Sequence, residues 1–368
     1  MSLTDIMVLQ ALFGVSVVLF EFPSGYFADR VGHRASLLVG AVLWGGGWIV
    51  YAYGESFGAV VIAELVLGAG MAFISGADRA LLWVSLETDG RSHEYTRWDA
   101  RLRAAAQTSE AVSAVAGGWL YAMAPRLPFW LQVPAAALAL AAIVAMRDSP
   151  RAQSADHRSH LARALAIARH TLWHHRRLRA AMSLSVALGL STFVMVWLIQ
   201  PYIQARGVPP AWFGPIWAGA HVWLVGVSLV SARIVGTLGA RRTLLVCCLL
   251  VPLGYAGLAL TATAWGALFY LCFMTIRGLQ GPILTNVMQQ DAPGADRASV
   301  LSLAALSFRL AFVVVGPPIG ALVDRAGMEM ALGVLAVALT AVALATLALF
   351  TRAHGPVLSR DDAAQPGR

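Results

Sequence analysis

Long apolar stretches alternate with short polar segments along almost the whole chain. We find eleven apolar runs, each close to the roughly 20 residues that an α-helix needs to cross a bilayer core. Because the runs are long and their apolar positions do not alternate, β-strands are excluded. The pattern predicts an all-α integral membrane protein with about eleven transmembrane helices. The runs cover approximately residues 5–27, 36–53, 57–80, 104–122, 128–146, 180–201, 211–232, 242–262, 266–288, 299–322 and 330–351.

The composition supports this assignment. Of the 368 residues, 58% are hydrophobic and 12% are charged, whereas a soluble domain carries about 25% charged residues. All 27 basic residues are arginines, so the lysine of a Walker A loop or of a Schiff base is missing. We therefore expect the chain to be embedded in the lipid bilayer and to contain no ATP-driven motor. We also expect no enzyme activity and no cofactor.

The arginines test the number of helices. When the connection at residues 28–35 is placed in the cytoplasm, 21 arginines fall in cytoplasmic segments and three in external ones. This asymmetry obeys the positive-inside rule, and one helix more or fewer would scramble it. The net charge of +8 thus follows from topology, and we expect no nucleic-acid partner.

The longest polar stretch divides five predicted helices from six. We expect an N-terminal bundle at 1–146, a cytoplasmic central loop at 147–179, a C-terminal bundle at 180–351 and a cytoplasmic tail at 352–368. The loop contains His170, His174 and His175, but neither a cysteine nor a nearby carboxylate completes a zinc site. We interpret this segment as a basic helix on the inner membrane face and predict no metal site.

The two bundles show traces of an internal repeat. When the chain is aligned with itself so that Gly32 meets Gly239, Arg34 meets Arg241. In a second alignment at a similar offset, residues 64–68 pair with 277–281, and Asp78 pairs with Asp291. Repeated halves about a central loop are typical of secondary transporters.

The most specific motif is residues 25–34, which read GYFADRVGHR. This segment resembles the G-x-x-x-D-R-x-G-R-[RK] loop of the major facilitator superfamily, with His33 in place of the usual arginine. Residues 277–281, RGLQG, are similar to that family's R-x-x-Q-G motif, normally on the fourth helix and here on the tenth. Residues 75–83 and 316–327 resemble the ends of its fourth and eleventh helices.

The resemblance implies two pseudo-symmetric helical bundles that alternate access to a central cavity, here as five plus six helices. The family's first helix has no counterpart; we favour a misplaced start codon over a genuine eleven-helix form or a decayed gene. The resemblance also implies a conformational latch in which Asp29 faces the start of the helix near Ala298. The expected latch residues are Gly25, Asp29, Arg30, Gly32 and Arg34, with Gly25 and Gly32 permitting close helix approach and a sharp turn.

Four charged residues stand out within the predicted membrane helices, because a charge at mid-membrane costs at least about 2.5–3.5 kcal/mol. They are Glu64, Glu110, Arg277 and Arg309. We expect them to form the substrate and proton pathway, with a glutamate taking up a proton or a cationic substrate and an arginine binding an anion or tuning the acid. The alternative is a structural Glu–Arg pair or bonding between a glutamate and the backbone.

We expect a secondary active transporter of a small organic solute, working by proton-coupled efflux in the cell's plasma or inner membrane, as a monomer. Two alternatives stay open. One is an ion-coupled importer of a small metabolite, and the other is a truncated membrane protein that does not transport.

Overall fold

The computed structural model describes residues 1–146, 169–293 and 297–355. Within these ranges the chain is helical throughout and contains no strand. Twelve helices of twelve or more residues are described. They are α1 (Leu3–Val31), α2 (His33–Tyr53), α3 (Phe57–Ile74), α4 (Ala77–Thr88), α5 (Tyr95–Met123), α6 (Leu127–Ala145), α7 (Arg176–Ala205), α8 (Phe213–Leu238), α9 (Ala240–Leu260), α10 (Tyr270–Asp291), α11 (Arg297–Ala326) and α12 (Met328–His354).

Ten segments of the described chain are long and apolar enough to cross a membrane. They match ten of the eleven predicted runs, and α3 with α4 counts as one of them. The eleventh predicted run, 104–122, lies within α5, which is not among the ten. The cause is the polar stretch Gln107–Thr108–Ser109–Glu110 in the middle of that helix. The helical class is confirmed, and α5 is the most polar of the predicted spans.

The described residues group into two compact units. The N-terminal unit comprises residues 5–146 and 210–215, and the C-terminal unit comprises residues 1–4, 169–209, 216–293 and 297–355. Residues 1–4 belong to the C-terminal unit because Asp324 accepts hydrogen bonds from the backbone N–H groups of Leu3 (3.0 Å) and Thr4 (2.8 Å). Most of the predicted central loop (147–168) and tail (356–368) lies outside the described residues.

In the N-terminal unit, small residues let α3 pack closely against α2. A Cβ atom added to Gly40 would lie 2.6 Å from Ile74 and 3.1 Å from the carbonyl oxygen of Gly70. Close approach through small residues is how helices associate in lipid, where water does not drive them together.

Serine hydroxyls reinforce this packing. Ser16 and Ser24 of α1 donate to the carbonyl oxygens of Leu65 (2.6 Å) and Ala72 (2.9 Å) on α3. Ser36 of α2 donates to the carbonyl oxygen of Phe73 at 2.8 Å. Since each hydroxyl is satisfied by the backbone, none is left unpaired in the apolar interior.

The C-terminal unit has the larger apolar core. Tyr255 is fully buried, donates to the carbonyl oxygen of Ser191 (2.7 Å) and packs edge-on against Phe273. Cys247 and Cys248 are free thiols and are both buried. At one end of the unit, the guanidinium of Arg206 lies 3.2 Å from Glu329.

The first element of the predicted repeat is confirmed. α1 and α2 are joined by Gly32 alone (φ 127°), and α8 and α9 by Gly239 alone (φ 80°). The N–H groups of the two glycines bond to Ala28 and Val235, which pair with each other in the same alignment. The cytoplasmic loop expected at 28–35 is therefore one residue long, because a glycine in the left-handed region reverses the chain without an intervening turn.

The second element of the repeat differs between the two units. α10 continues without interruption to Asp291, whereas α3 ends at Ile74, and α4 begins at Ala77. The break lies at Ser75 and Gly76, where Gly76 adopts φ 87°. Asp78 therefore stands in the first turn of a new helix and Asp291 at the end of a continuous one.

Candidate functional site

Glu64 is a buried acid within the N-terminal unit. It lies about two turns from the start of α3, or about 10 Å along the helix at roughly 1.5 Å per residue, and is only 5% exposed. Its Oε1 atom accepts hydrogen bonds from Nε2 of Gln10 (3.1 Å) and from the hydroxyl of Tyr51 (2.5 Å). Oε2 accepts no hydrogen bond from the described residues. The carboxyl group therefore has one occupied oxygen and one that is free to carry a proton.

Aromatic rings surround the Tyr51 side of this group. The ring of Tyr51 stacks on that of Phe129 with centroids 5.3 Å apart, and Trp48 lies 5.5 Å from Tyr51. Nε1 of Trp48 is buried and has no hydrogen-bond partner in the described chain. The Tyr51 donor thus belongs to an aromatic cluster, and both described donors to Glu64 are neutral.

Neither donor to Glu64 is predicted from the sequence. Gln10 is the one strongly polar side chain between Asp5 and Glu21, so its position in an apolar run is a usable signal. Tyr51 gives no such signal, because tyrosines are common near membrane interfaces. To predict that Tyr51 contacts Glu64, one must know how α2 is rotated about its axis relative to α3, and the spacing of apolar residues does not give that rotation.

Glu110 is placed differently from Glu64. It lies on α5, is exposed within the described structure, and makes no hydrogen bond or ion pair with any described residue. Glu64 and Glu110 make no direct contact in the described structure.

Arg277 lies on α10 of the C-terminal unit and is half-buried. It forms no ion pair with the described residues. Gln280, one turn away on the same helix, is 8% exposed, and its Oε1 atom has no partner in this part of the chain. The buried hydroxyl of Tyr270, two turns before Arg277, also lacks a partner there. Two buried polar atoms of this helix, the Tyr270 hydroxyl and Gln280 Oε1, are therefore without a hydrogen bond in the described structure.

Arg309 lies on α11 of the same unit. Its Nη1 atom is buried and has no hydrogen-bond partner among the residues described. Arg277 is about four helical turns from the end of α10 at Asp291, and Arg309 is between three and four turns from the start of α11 at Arg297. At roughly 1.5 Å per residue, both arginines lie about 20 Å from the helix ends that the arginine pattern places in the cytoplasm.

The structure describes the residues of the expected latch motif within the N-terminal unit. Gly32 makes the predicted sharp turn. Arg34 donates to the carbonyl oxygens of Ile143 (3.1 Å) and Val144 (2.6 Å) at the end of α6, and Arg30 donates to the hydroxyl of Tyr26. An added Cβ atom at Gly25 would meet nothing within 4 Å in the described structure, and its part in the latch stays a prediction. The role of Asp29, an exposed residue, stays a prediction.

The histidines of the central segment have structural contacts. Nδ1 of His175 accepts the N–H group of Leu178 and caps the start of α7. His170 and His174 stack on each other with centroids 5.8 Å apart. In the ranges described, no group of three or more His, Cys, Asp or Glu residues is arranged to hold a metal ion.

Comparison with known proteins agrees with this architecture. The family model of the Major Facilitator Superfamily matches residues 1–315. The nucleoside transporter NupG is similar in structure, with a TM-score of 0.75 and 12% identity over 95% of this chain and 91% of that one. A variant of the peptide transporter POT is similar with a TM-score of 0.73 and 15% identity over 95% of this chain and 86% of that one. No curated protein matches the chain.

The fold and the match together define a multi-pass membrane protein of the transporter class. The chain belongs to the major facilitator superfamily. It is therefore a transmembrane transporter.

Proposed function

We propose that this protein is a secondary active transporter that exports a small organic solute in exchange for protons. In this proposal it works as a monomer in the plasma or inner membrane and alternates access between the two sides. Glu64 carries the proton, and Glu110, Arg277 and Arg309 line the path of the proton and solute. Asp29 and its neighbours act as the latch of one conformational state.

One observation carries the proposal, namely that Glu64 is buried and its hydrogen-bond partners are neutral. A structural glutamate at this depth is expected to pair with an arginine, because an unpaired buried charge is expensive. Glu64 forms no ion pair with any described residue, and only Gln10 and Tyr51 donate to it. Binding of one proton to Glu64 therefore neutralises the site completely. A residue that couples proton movement to solute movement needs such a change of charge.

The experiment uses everted membrane vesicles with a respiration-driven pH gradient, followed by acridine orange fluorescence. Ethidium, uridine, dialanine and benzenesulfonate serve as cationic, nucleoside, peptide and anionic probes. We expect at least one probe to release the quenched dye in vesicles with the wild-type protein. Glu64→Gln should abolish this release, because an amide cannot carry the proton.

A matched control keeps the result interpretable. Glu55 lies outside the membrane helices, and its side chain is 82% exposed. Glu55→Gln should therefore behave as wild type. Full proton release by Glu64→Gln would remove Glu64 from the coupling mechanism, and dye quenching enhanced by a probe would indicate import with protons instead of export.

A further inference from the structure

The C-terminal unit contains two arginines in membrane helices without a counter-charge. Arg277 and Arg309 form no ion pair with the described residues, and Nη1 of Arg309 is buried without a partner there. Such a charge is costly in a membrane unless an anion or several hydrogen bonds satisfy it.

The acids of the same unit are engaged elsewhere. Its described part contains three, and each already has a partner. Asp291 contacts Nε2 of His354 at 2.9 Å, and Glu329 contacts Arg206 at 3.2 Å. Asp324 accepts the N–H groups of Leu3 and Thr4 as well as the hydroxyl of Thr4. The described part of the unit therefore supplies no carboxylate to either arginine.

Other polar groups near these positions are also unsatisfied. Gln280, one turn from Arg277, is more than nine-tenths buried, and its Oε1 atom is without a hydrogen bond in the described structure. The two arginines stand at similar depths on α10 and α11, counted from helix ends on the same predicted side. This placement puts two arginines without ion pairs and the unbonded amide oxygen of Gln280 at a similar level of the unit.

We propose that Arg277 and Arg309 bind the negatively charged group of an organic anion. A guanidinium group accommodates a carboxylate or phosphate through two parallel hydrogen bonds. The inference rests on the proposed transport function and specifies its substrate class, because the bound anion supplies the charge that the unit lacks.

The test measures ligand binding by the purified full chain, without membranes or a pH gradient, as a shift in thermal unfolding temperature. Benzoate, benzamide and benzylamine have nearly the same shape and differ in charge. We expect benzoate to raise the unfolding temperature and the neutral amide and cationic amine to have little effect. Inorganic phosphate tests whether the organic part is needed, and we expect a smaller effect from it than from benzoate.

Variants assign the binding to the two arginines. Arg277→Gln and Arg309→Gln should each weaken benzoate binding by at least about thirtyfold, the smallest loss expected on truncating one partner of a buried charge pair. Arg277→Lys should keep part of the affinity for benzoate. It replaces Arg277→Gln in the test if the glutamine variant does not fold. Arg352, an exposed residue of α12, provides the control, and Arg352→Gln should bind as wild type.

Three results would overturn the inference. In the first, benzoate does not raise the unfolding temperature of the wild-type protein. In the second, benzylamine or phosphate raises it as much as benzoate or more, and in the third, both arginine variants bind benzoate as well as wild type. Because this assay contains no proton gradient, its outcome is independent of the vesicle experiment. Proton exchange without anion binding would leave the proposed function standing and exclude only this substrate class.

Discussion

The hydroxyl of Tyr51 on α2 donates a hydrogen bond to the carboxyl group of Glu64 on α3, inside the N-terminal unit. The contact joins a residue near the end of α2 to an acid at about 10 Å depth in α3, counted at roughly 1.5 Å per residue. It fixes the orientation of the carboxyl group and leaves Oε2 available. The first prediction concerns this bond.

Tyr51→Phe should lower the free energy of unfolding by about 1.5–3 kcal/mol, because the change removes one hydrogen bond to a buried charged group. The ring contacts with Phe129 and Trp48 are kept. Chemical unfolding in detergent, followed by tryptophan fluorescence, measures the effect. Tyr53, on the same helix and 67% exposed, is the control. An equal loss in Tyr53→Phe would show that the bond to Glu64 adds no stability.

Gly40→Val should destabilise the N-terminal unit by about 1–3 kcal/mol, the usual effect of overpacking. The added side chain would meet Ile74 and the carbonyl oxygen of Gly70, so α2 and α3 must separate. Gly46 on the same helix has nothing within 4 Å of an added Cβ atom. Fluorescence-detected size-exclusion after heating should therefore show a lower melting temperature for Gly40→Val than for Gly46→Val. The reverse order would contradict the described packing of α2 on α3.

The two glycine connections should respond alike to substitution. Gly32→Ala and Gly239→Ala each force a Cβ atom into the left-handed region and should destabilise by about 1–2 kcal/mol. Gly236 lies inside α8 with open space around it, so Gly236→Ala should be neutral or slightly stabilising. Thermal unfolding of the three variants provides the comparison. If only one of the Gly32→Ala and Gly239→Ala variants were destabilised, the two glycine connections would not be structurally equivalent.

Glu94 precedes α5, outside the membrane-spanning segments, and its contacts predict a pH dependence. The guanidinium of Arg91 and the indole N–H of Trp98 bond to its carboxylate and lower the pKa of Glu94 to about 2. A depressed acid pKa contributes stability above the ordinary value of about 4.3, and this contribution is lost as the pH falls towards 2.

The imidazole of His93 lies 4.0 Å from Glu94, and histidines ordinarily change charge between pH 5 and 8, so the measurement uses a His93→Gln background. Hydrogen exchange of residues 91–98 in that background, corrected for the intrinsic pH effect, should be constant from about pH 8 to pH 5. Adding Glu94→Gln should increase exchange over that whole interval, because a neutral amide holds Arg91 less strongly. Exchange that changes between these two pH values while Glu94 is kept would argue against the Arg91–Glu94 contact.

Much of the fold is predictable from the sequence because lipid imposes a simple pattern. An apolar run of sufficient length must form a helix to satisfy its backbone, and the arginines mark alternate ends. The sharp turn predicted at Gly32 of the motif is also confirmed. The polar middle of α5 and the break at Gly76 were not anticipated, since both lie within runs of adequate length.

The candidate site is predictable only in part. Charge in an apolar run identifies Glu64, Glu110, Arg277 and Arg309, but not which of them is buried. Glu64 is 5% exposed whereas Glu110 is exposed, and this difference depends on helix rotation. Tyr51, the second donor to Glu64, carries no signal in the sequence, because its role arises from the crossing of α2 and α3.

The central claim is that Glu64 carries the proton that drives transport. The most direct measurement compares two modes of transport in proteoliposomes that contain the Glu64→Gln variant. The transported compound is the probe that releases the quenched dye in vesicles with the wild-type protein. We predict that exchange of labelled for unlabelled probe continues, because it needs no net proton movement, while uphill movement driven by a pH gradient disappears. Uphill movement at the wild-type rate would contradict the account.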